Sequence, residues 1–318
     1  MKKLVLYGAA SFILGILLLN VWILLDLLNL LHLFFGSLHT TMQNVVLPGL
    51  NKWSKLLILI GFGEMFVDIL IFRIFGGQKK ELTVRNLESK TVAVGMTAYN
   101  DELPIGGAVR DFLNHPRVSE VIVIDNNCTD RTAEEAEKAG AVVVKEEKQG
   151  YGFACMRALA EAAKRSEILA LVEGDQTFSA KDLDKMIAYL ENVDMVQGTR
   201  TTRELATRDS QLDVLMNLGN QVVAKLIQLR FWGVRLSDVG CTYRMITKEG
   251  YERIRNNLKV GGMYFSAHMM IEAFKADLKI LEIPITFRKR VGHSKGVGGR
   301  KFRGMCVAMQ MLRMIYFS

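Results

Sequence analysis

Two long apolar stretches open the chain, residues 4–35 and 56–75, and after Lys90 short apolar runs begin to alternate with segments of helical spacing. At ~1.5 Å of rise per residue, either long stretch suffices to cross ~30 Å of hydrocarbon. A cleaved signal peptide fits poorly, because the first stretch is too long and no small-residue cleavage site follows it. Residues 1–80 are therefore expected to be a membrane anchor of two transmembrane helices. Polar residues interrupt both stretches: Asn20, Asp26, Asn29 and His32 in the first, Glu64, Asp68 and Arg73 in the second. Interfacial placement or pairing within a helical hairpin accounts for them. Glu64 and Asp68 are four apart on one helical face, so they alternatively mark an acceptor path or a homo-oligomer contact through the transmembrane helices.

The shorter pattern predicts strands in 91–100, 118–127, 141–147, 167–175 and 194–200, separated by helices in 105–115, 130–140, 153–165 and 179–192. Apolar strands alternating with helices predict an α/β domain over residues 90–287 with a mostly parallel central sheet covered on both faces. In such sheets ligands bind outside the carboxyl ends of the strands.

Three predicted strands end in polar clusters: Thr97-Ala98-Tyr99-Asn100-Asp101, Asp125-Asn126-Asn127 and Glu173-Gly174-Asp175. Any one of them can be ordinary turn or capping chemistry, and Thr129 or Asp130 is the expected cap of the helix starting near Thr132. Carboxyl ends of neighbouring strands share one edge, however, and three clusters there predict a common cleft. Glu173 and Asp175 can both turn to a divalent metal once the strand stops alternating, with Gly174 permitting the bend. Hard oxygen donors favour Mg2+ or Mn2+, which bind through one or two carboxylates plus substrate phosphates. The competing account, that both acids merely cap the next helix, is weakened by Ser179, the better N-cap.

The chain carries 41 Lys and Arg against 33 Asp and Glu, a net charge of +8. Lys2 and Lys3 precede the first apolar stretch; Arg73, Lys79, Lys80, Arg85 and Lys90 follow the second; the connection has only Lys52 and Lys55. The positive-inside rule then faces both ends, and everything after residue 80, to the cytoplasm. Cys128, Cys155, Cys241 and Cys306 are scattered without metal or redox spacing and read as reduced thiols. From Arg288 to Arg303 there are seven Lys and Arg and no acid, interleaved with glycines. Such a run is a solvated loop, an anionic-lipid contact or a phosphate site. Residues 306–318 read as an amphipathic, Met-rich interfacial helix. Residues 288–318 are thus expected to form a basic loop and a helix on the bilayer surface.

Tyr99-Asn100-Asp101, Asp125 through Asp130, Glu173-Gly174-Asp175 and Gly198-Thr199-Arg200 occur in the order found in family 2 glycosyltransferases with the GT-A fold. The stretches DVGCTYRMITKEGYERI and EIPITFRKRVGHSK extend the likeness, which covers about residues 91–303. Order and tail most resemble the dolichyl- and polyprenyl-phosphate glucose and mannose synthases. The resemblance implies the following roles. Thr97, Tyr99, Asp101 and Asp125 would bind the donor's base and ribose, with Lys148 and Gly150 near the diphosphate. Asp175 would be the principal metal ligand. Glu173 stands where the family has Asp, so it would serve metal, sugar or nucleotide; Thr177 stands where many relatives carry a further ligand. Arg288, Arg290, Ser294 and Lys295 would hold a lipid phosphate, the last three matching the family's Arg-x-Gly-x-Ser-Lys pattern. Arg200 and Arg244 would be phosphate-side cations, Asp238 an acidic residue of the acceptor-side loop with Glu272 near it.

The implied reaction is transfer of a sugar from a nucleotide-sugar, UDP-linked in preference to GDP-mannose, onto a polyprenyl or dolichyl phosphate. A phosphate acceptor needs little help from a base, its second pKa being about 6. A single displacement would invert the anomeric carbon. No nucleic-acid partner is expected. A processive polysaccharide synthase is a rival, but QLRFW at 228–232 has the wrong spacing for that group's Gln-x-x-Arg-Trp, and no later spans build a channel. A nucleotidyltransferase lacks its basic glycine-rich loop here. A non-catalytic scaffold is supported only by Glu173 and Thr177.

Overall fold

A computed structural model describes residues 4–30, 44, 46–68, 70, 82, 84–207, 214–231, 235–292 and 301–317. The chain divides into two compact units, residues 1–80 and 81–318.

The first unit contains helices α1 (Leu4–Leu30) and α2 (Leu47–Asp68). They pack antiparallel through small residues seven apart. A Cβ on Gly8 would meet Gly61, one on Gly15 would meet Ser54 and Ile58, and the reciprocal addition on Gly61 would lie 2.4 Å from the Gly8 carbonyl oxygen. Close backbone approach of this kind needs residues without bulk. Asp68 is buried, Glu64 is partly enclosed with its Cβ position beside Gly8, and Asn20 returns its amide to the Ile16 carbonyl at 2.8 Å.

The expectation of two transmembrane helices is corrected. Among the described residues one helix is long and apolar enough to cross a membrane, over Leu4–Leu27. The second helix begins well before the apolar stretch that suggested it. It takes in Pro48, Asn51, Lys52 and Lys55 and retains Glu64 and Asp68, so its charge is too high for a span of that length. His32 and Arg73 lie outside the described residues.

The second unit is an α/β sandwich. Its elements run β1 (Val92–Ala98), α3 (Glu102–Leu113), β2 (Val118–Asp125), α4 (Thr132–Lys138), β3 (Val142–Lys145), α5 (Tyr151–Ala163) and β4 (Ile168–Glu173). Then follow α6 (Leu183–Leu190), β5 (Met195–Thr199), α7 (Val214–Arg230), β6 (Arg244–Thr247), α8 (Lys248–Ile254), α9 (Phe265–Lys275), β7 (Ile280–Pro284) and α10 (Lys301–Phe317). The strands form one sheet in the order β3-β2-β1-β4-β6-β5-β7. All pairings are parallel except those of β6 with β4 and β5. Every residue of β1 and β5 is buried, the polar Gln197 and Thr199 of β5 included, as expected when helices cover both faces. Gly95 lies at the point of closest approach to α5, where a Cβ would come within 2.8 Å of Ala158. At the C-terminus Ile315 is fully buried, and Arg230 at the end of α7 donates to the carbonyls of Met314 and Ile315.

All five strands and the helices expected before residue 200 are present. Gly140 closes α4 with φ 97°. Asp130 accepts from the Thr132 amide at 3.0 Å, and Ser179 caps the turn Ala180–Asp182 by accepting from Lys181. Periodicity did not predict β6 and β7. They are four and five residues long; β6 lies inside the stretch DVGCTYRMITKEGYERI, and β7 begins two residues before EIPITFRKRVGHSK.

Candidate active site

The register of the sheet sets the site. Thr97 is opposite Glu173 and Ala98 is opposite Asp125, so the ends of β2, β1 and β4 finish at one level. The three polar clusters do share one edge. Gly174 donates to the Thr97 carbonyl at 3.0 Å, turning the chain across the end of β1; a Cβ there would come within 2.5 Å of Ile105.

On the β1–β2 side the clusters brace each other. Asp125 Oδ1 accepts from the Cys128 amide at 2.8 Å, Asn100 Oδ1 accepts from Thr129 at 2.7 Å, and Asp101 Oδ2 accepts from Tyr99 at 3.1 Å. Asn100 and Asn127 adopt left-handed backbone, which Asn tolerates better than most residues. Burial, with a hydrogen bond to Asp125 adding to it, pushes the Cys128 thiol up to about 12, so it is inert at neutral pH.

Asn126 was not singled out beyond its cluster, and it organises the loop after β3. Its amide donates to the carbonyls of Glu146 (3.1 Å) and Lys148 (2.8 Å), while its oxygen accepts from the Gly150 amide at 2.9 Å. Gly150 has φ 153° and Gly152 donates to the Gly261 carbonyl; added Cβ atoms would lie 2.4 and 2.0 Å from carbonyl oxygens. Lys148 and Gly150 therefore stand at the entrance of α5, with the Lys148 ammonium 5.8 Å from the Phe153 ring centre.

At the end of β4, Glu173 Oε1 accepts from the Thr242 hydroxyl at 2.5 Å, and Thr242 also meets the Tyr151 hydroxyl at 2.5 Å. Asp175 Oδ1 accepts from the Thr177 amide (3.0 Å) and hydroxyl (2.6 Å). Thr177, at the position where many relatives carry a further ligand, thus braces Asp175. The remaining oxygens, Glu173 Oε2 and Asp175 Oδ2, face Arg290 Nη2 at 3.2 and 2.6 Å. Burial and the neighbouring Asp175 charge raise the Glu173 pKa against the opposing pull of Arg290. Asp175 Oδ2 is buried and receives no directed hydrogen bond, only the ion pair. Two hard oxygens, one lacking a directed partner, fit a divalent cation completed by a diphosphate and water. No cluster of three or more His, Cys, Asp or Glu suited to a metal occurs among the described residues.

Arg200 and Asp238, expected to act separately, form one ion pair. Arg200 Nε lies 2.7 Å from Asp238 Oδ2, Nη2 lies 2.8 Å from Oδ1, and the Arg200 amide adds a third bond. Burial alone would raise the Asp238 pKa, but the Arg200 charge and hydrogen bonds overcome it and lower it. The acid that supports this loop is Glu282 on β7, which accepts from the Ser237 and Asp238 amides and the Ser237 hydroxyl. Glu272 is instead paired with Lys275 on its own helix.

Arg244 is not an exposed cation. It is 1% exposed, and its guanidinium donates to the carbonyls of Cys241 and Val239. Its side chain belongs to the interior because β6 is inserted between β4 and β5. Arg288 bridges Asp111 (3.1 Å) and the Ser179 hydroxyl (2.5 Å). Ser294 and Lys295 lie outside the described residues.

Residues 93–255 match the family described as Glycosyl transferase family 2. The low-salt glycan biosynthesis hexosyltransferase Agl6 of Haloferax volcanii is 28% identical over 209 residues, 64% of this chain and 49% of its own length. The chain thus spans about half of that relative. The dolichyl-phosphate hexose transferase of the same organism is 30% identical over 207 residues, 64% of this chain and 86% of its own. Glucosyl-3-phosphoglycerate synthase of Mycobacterium tuberculosis, in complex with Mn2+, UDP-glucose and phosphoglyceric acid, matches with a TM-score of 0.55 at 16% identity. That match covers 75% of this chain and 86% of the other, and it shows a common fold, the GT-A fold of nucleotide-sugar transferases. The matched segment takes in half of the chain, from β1 to the end of α8, with the Asp125 and Glu173–Asp175 clusters inside it, and the chain belongs to glycosyl transferase family 2.

Proposed function

We propose that the protein transfers a hexose from a nucleoside diphosphate sugar to the phosphate of a polyprenyl or dolichyl lipid, inverting the anomeric carbon. One observation carries this reading: a guanidinium of the basic 288–303 run lies against the two carboxylates that end β4. Groups suited to a donor diphosphate and groups suited to a second phosphate thus meet at one strand edge.

In this reading Thr97, Tyr99, Asp101 and Asp125 hold the base and ribose, and the loop fixed by Asn126 brings Lys148 and Gly150 toward the diphosphate. Asp175 and Glu173 hold Mg2+ or Mn2+, which when bound neutralises charge developing on the leaving diphosphate. Arg288 and Arg290, with Ser294 and Lys295, orient the acceptor phosphate, whose dianion attacks without a dedicated base. Arg200, gripped by Asp238, supplies fixed positive charge beside β5 at no cost of reorganisation during reaction. Arg244 acts indirectly, by fixing the 239–241 backbone next to Asp238. The apolar helix Leu4–Leu27, long enough to span, and the likeness to a dolichyl-phosphate hexose transferase support a lipid acceptor and a membrane location, and the Lys and Arg flanking the two N-terminal stretches are the ground for taking the transferase unit as cytoplasmic. The donor is taken as a UDP-sugar before GDP-mannose.

A transfer assay tests this. Membranes carrying the protein are given radiolabelled UDP- and GDP-sugars and short polyprenyl phosphates, with and without chelator. The expected result is one chelator-sensitive, organic-soluble product with a single β-linked sugar, lost in Asp175→Asn. A long polymer would favour a processive enzyme. Donor binding without lipid product would move the acceptor elsewhere, and an α-linked product would overturn the single displacement.

A further inference from the structure

Arg290 makes a contact that an acceptor-phosphate residue does not need. Its Nη2 reaches the two oxygens of the β4 acids that nothing else occupies, while the other oxygen of each acid is already held by Thr242 or Thr177. We propose that Arg290 is the exchangeable counter-ion of the Glu173–Asp175 pair, displaced by a divalent cation and thereby released for an anionic ligand at the same edge. The inference rests on the metal role given to these acids above.

Three features carry it. First, the oxygens are the same: a divalent ion bound through Glu173 Oε2 and Asp175 Oδ2 would occupy the point where the guanidinium sits, and like charges at that distance exclude one another. Second, the backbone is anchored on both sides without using the guanidinium. The Phe287 amide donates to Leu205, the Arg288 amide to Thr177 at 2.8 Å and the Val291 amide to Asp175 at 3.3 Å. The Arg290 side chain can therefore swing away while the segment stays in place. Third, the position is strongly anionic. Both acids turn an oxygen to the same guanidinium nitrogen, at 3.2 and 2.6 Å. Two carboxylates 2 residues apart repel unless a cation is present, so an empty pair would be unstable. Arg290 fills that need before metal arrives, and binding of metal and of anion are coupled reciprocally through it.

Mn2+ binding to the purified full chain, without nucleotide or lipid, tests the exchange by following the electron paramagnetic resonance of free Mn2+. If Arg290 holds the site in most molecules, Arg290→Gln should tighten Mn2+ by about tenfold or more. Arg290→Lys, which keeps the charge on a shorter reach, should fall between. Lys289→Gln removes the same charge one residue away and should stay within about twofold of the unaltered protein. Phenylglyoxal labelling of Arg290, read by mass spectrometry, should rise when Mn2+ is added to the unaltered protein. Unchanged or weaker Mn2+ binding in Arg290→Gln, or equal tightening in Lys289→Gln, overturns the exchange while leaving the metal site standing. No Mn2+ binding by any of these proteins overturns both.

Discussion

Arg200 and Asp238 are joined by two side-chain bonds of 2.7 and 2.8 Å and a third from the Arg200 amide, with Asn220 donating to the same carboxylate at 2.5 Å. The pair is largely buried, and Arg200 also lies 5.4 Å from the Phe287 ring centre. Removing one partner of such a pair leaves an uncompensated buried charge, at a cost of about 3–5 kcal/mol. Asp238→Ala and Arg200→Ala should each destabilise by roughly that amount, and the double variant by clearly less than the sum. Denaturant titration of the four proteins checks this; additive losses would show that the two residues do not act as a unit.

The same pair predicts an acid limb to stability. The Asp238 pKa is lowered in the folded state, so its contribution is complete above the unfolded carboxylate value of about 3.9 and is lost as pH falls through the folded value. Asp238→Asn should therefore be less stable at pH 7, with the deficit shrinking below about pH 4. Equal deficits at pH 7 and pH 3 in denaturant midpoints would contradict the assignment.

Glu173 carries the opposite sign. Burial and Asp175 raise its folded pKa, so its charge opposes folding above that value; the penalty fades as pH falls toward the unfolded value of about 4.3. Glu173→Gln should raise the melting temperature at pH 7 while weakening Mn2+ binding, a gain in stability at the expense of function. The advantage should vanish by about pH 4. A lower melting temperature at pH 7 would mean that the ion pair with Arg290 outweighs the burial and repulsion.

How legible the molecule was depends on what each feature requires. Strands β1 to β5 show in the sequence because each contains a short apolar run and alternates with a segment of helical spacing, and their polar ends could be assigned to one edge from the parallel topology alone. Strand β6 was hidden because Arg244 and Thr247 break its pattern and because its antiparallel insertion between β4 and β5 is a choice of topology, not of period. That insertion explains why Arg244 is enclosed, although the resemblance implies a phosphate-side cation there. Thr242 and Glu282 support Glu173 and Asp238 across 69 and 44 residues, respectively, a pairing that local sequence does not encode. Asn126 could have been found: the two carboxamides after Asp125 at a strand end have both donors and an acceptor to spend on a neighbouring loop, and both reach residues 146–150, Asn127 donating to the Glu147 carbonyl at 2.9 Å. The second apolar stretch misled because hydropathy marks where a helix is greasy and not where it begins: the helix starts at Leu47 and takes in Lys52 and Lys55.

Those contacts give a prediction for the first unit. A Cβ on Gly61 would lie 2.4 Å from the Gly8 carbonyl oxygen and 2.5 Å from the Phe12 amide nitrogen, both backbone atoms of the opposing helix. Gly61→Leu should force α1 and α2 apart, whereas Gly63→Leu, with nothing within 4 Å of its Cβ position, should be tolerated. Thermal unfolding of the full chain in detergent, followed by circular dichroism at 222 nm, should show helix loss at a lower temperature in Gly61→Leu and an unchanged profile in Gly63→Leu. Equal profiles for the two variants would contradict the small-residue packing.

Asn126 separates holding the donor from transferring it. Its side chain makes three bonds of 2.8–3.1 Å to the backbone of residues 146–150, the segment assigned to the diphosphate. In Asn126→Ala the Gly150 amide and two carbonyls lose their partner, each worth about 0.5–1.5 kcal/mol, yet no group assigned to metal or acceptor is altered. The loop should remain folded through the Gly152–Gly261 bond but sample more conformations. Donor KM should therefore rise by roughly tenfold while kcat falls by much less, because a loss of uniform binding raises KM alone. Asn126→Asp keeps the acceptor for Gly150 but sets a negative charge against the Glu146 and Lys148 carbonyls that received its two donors, so it should be at least as impaired. A fall in kcat with unchanged KM in Asn126→Ala would instead mean that the loop acts on the transition state, and Lys148 would then become the residue to substitute next.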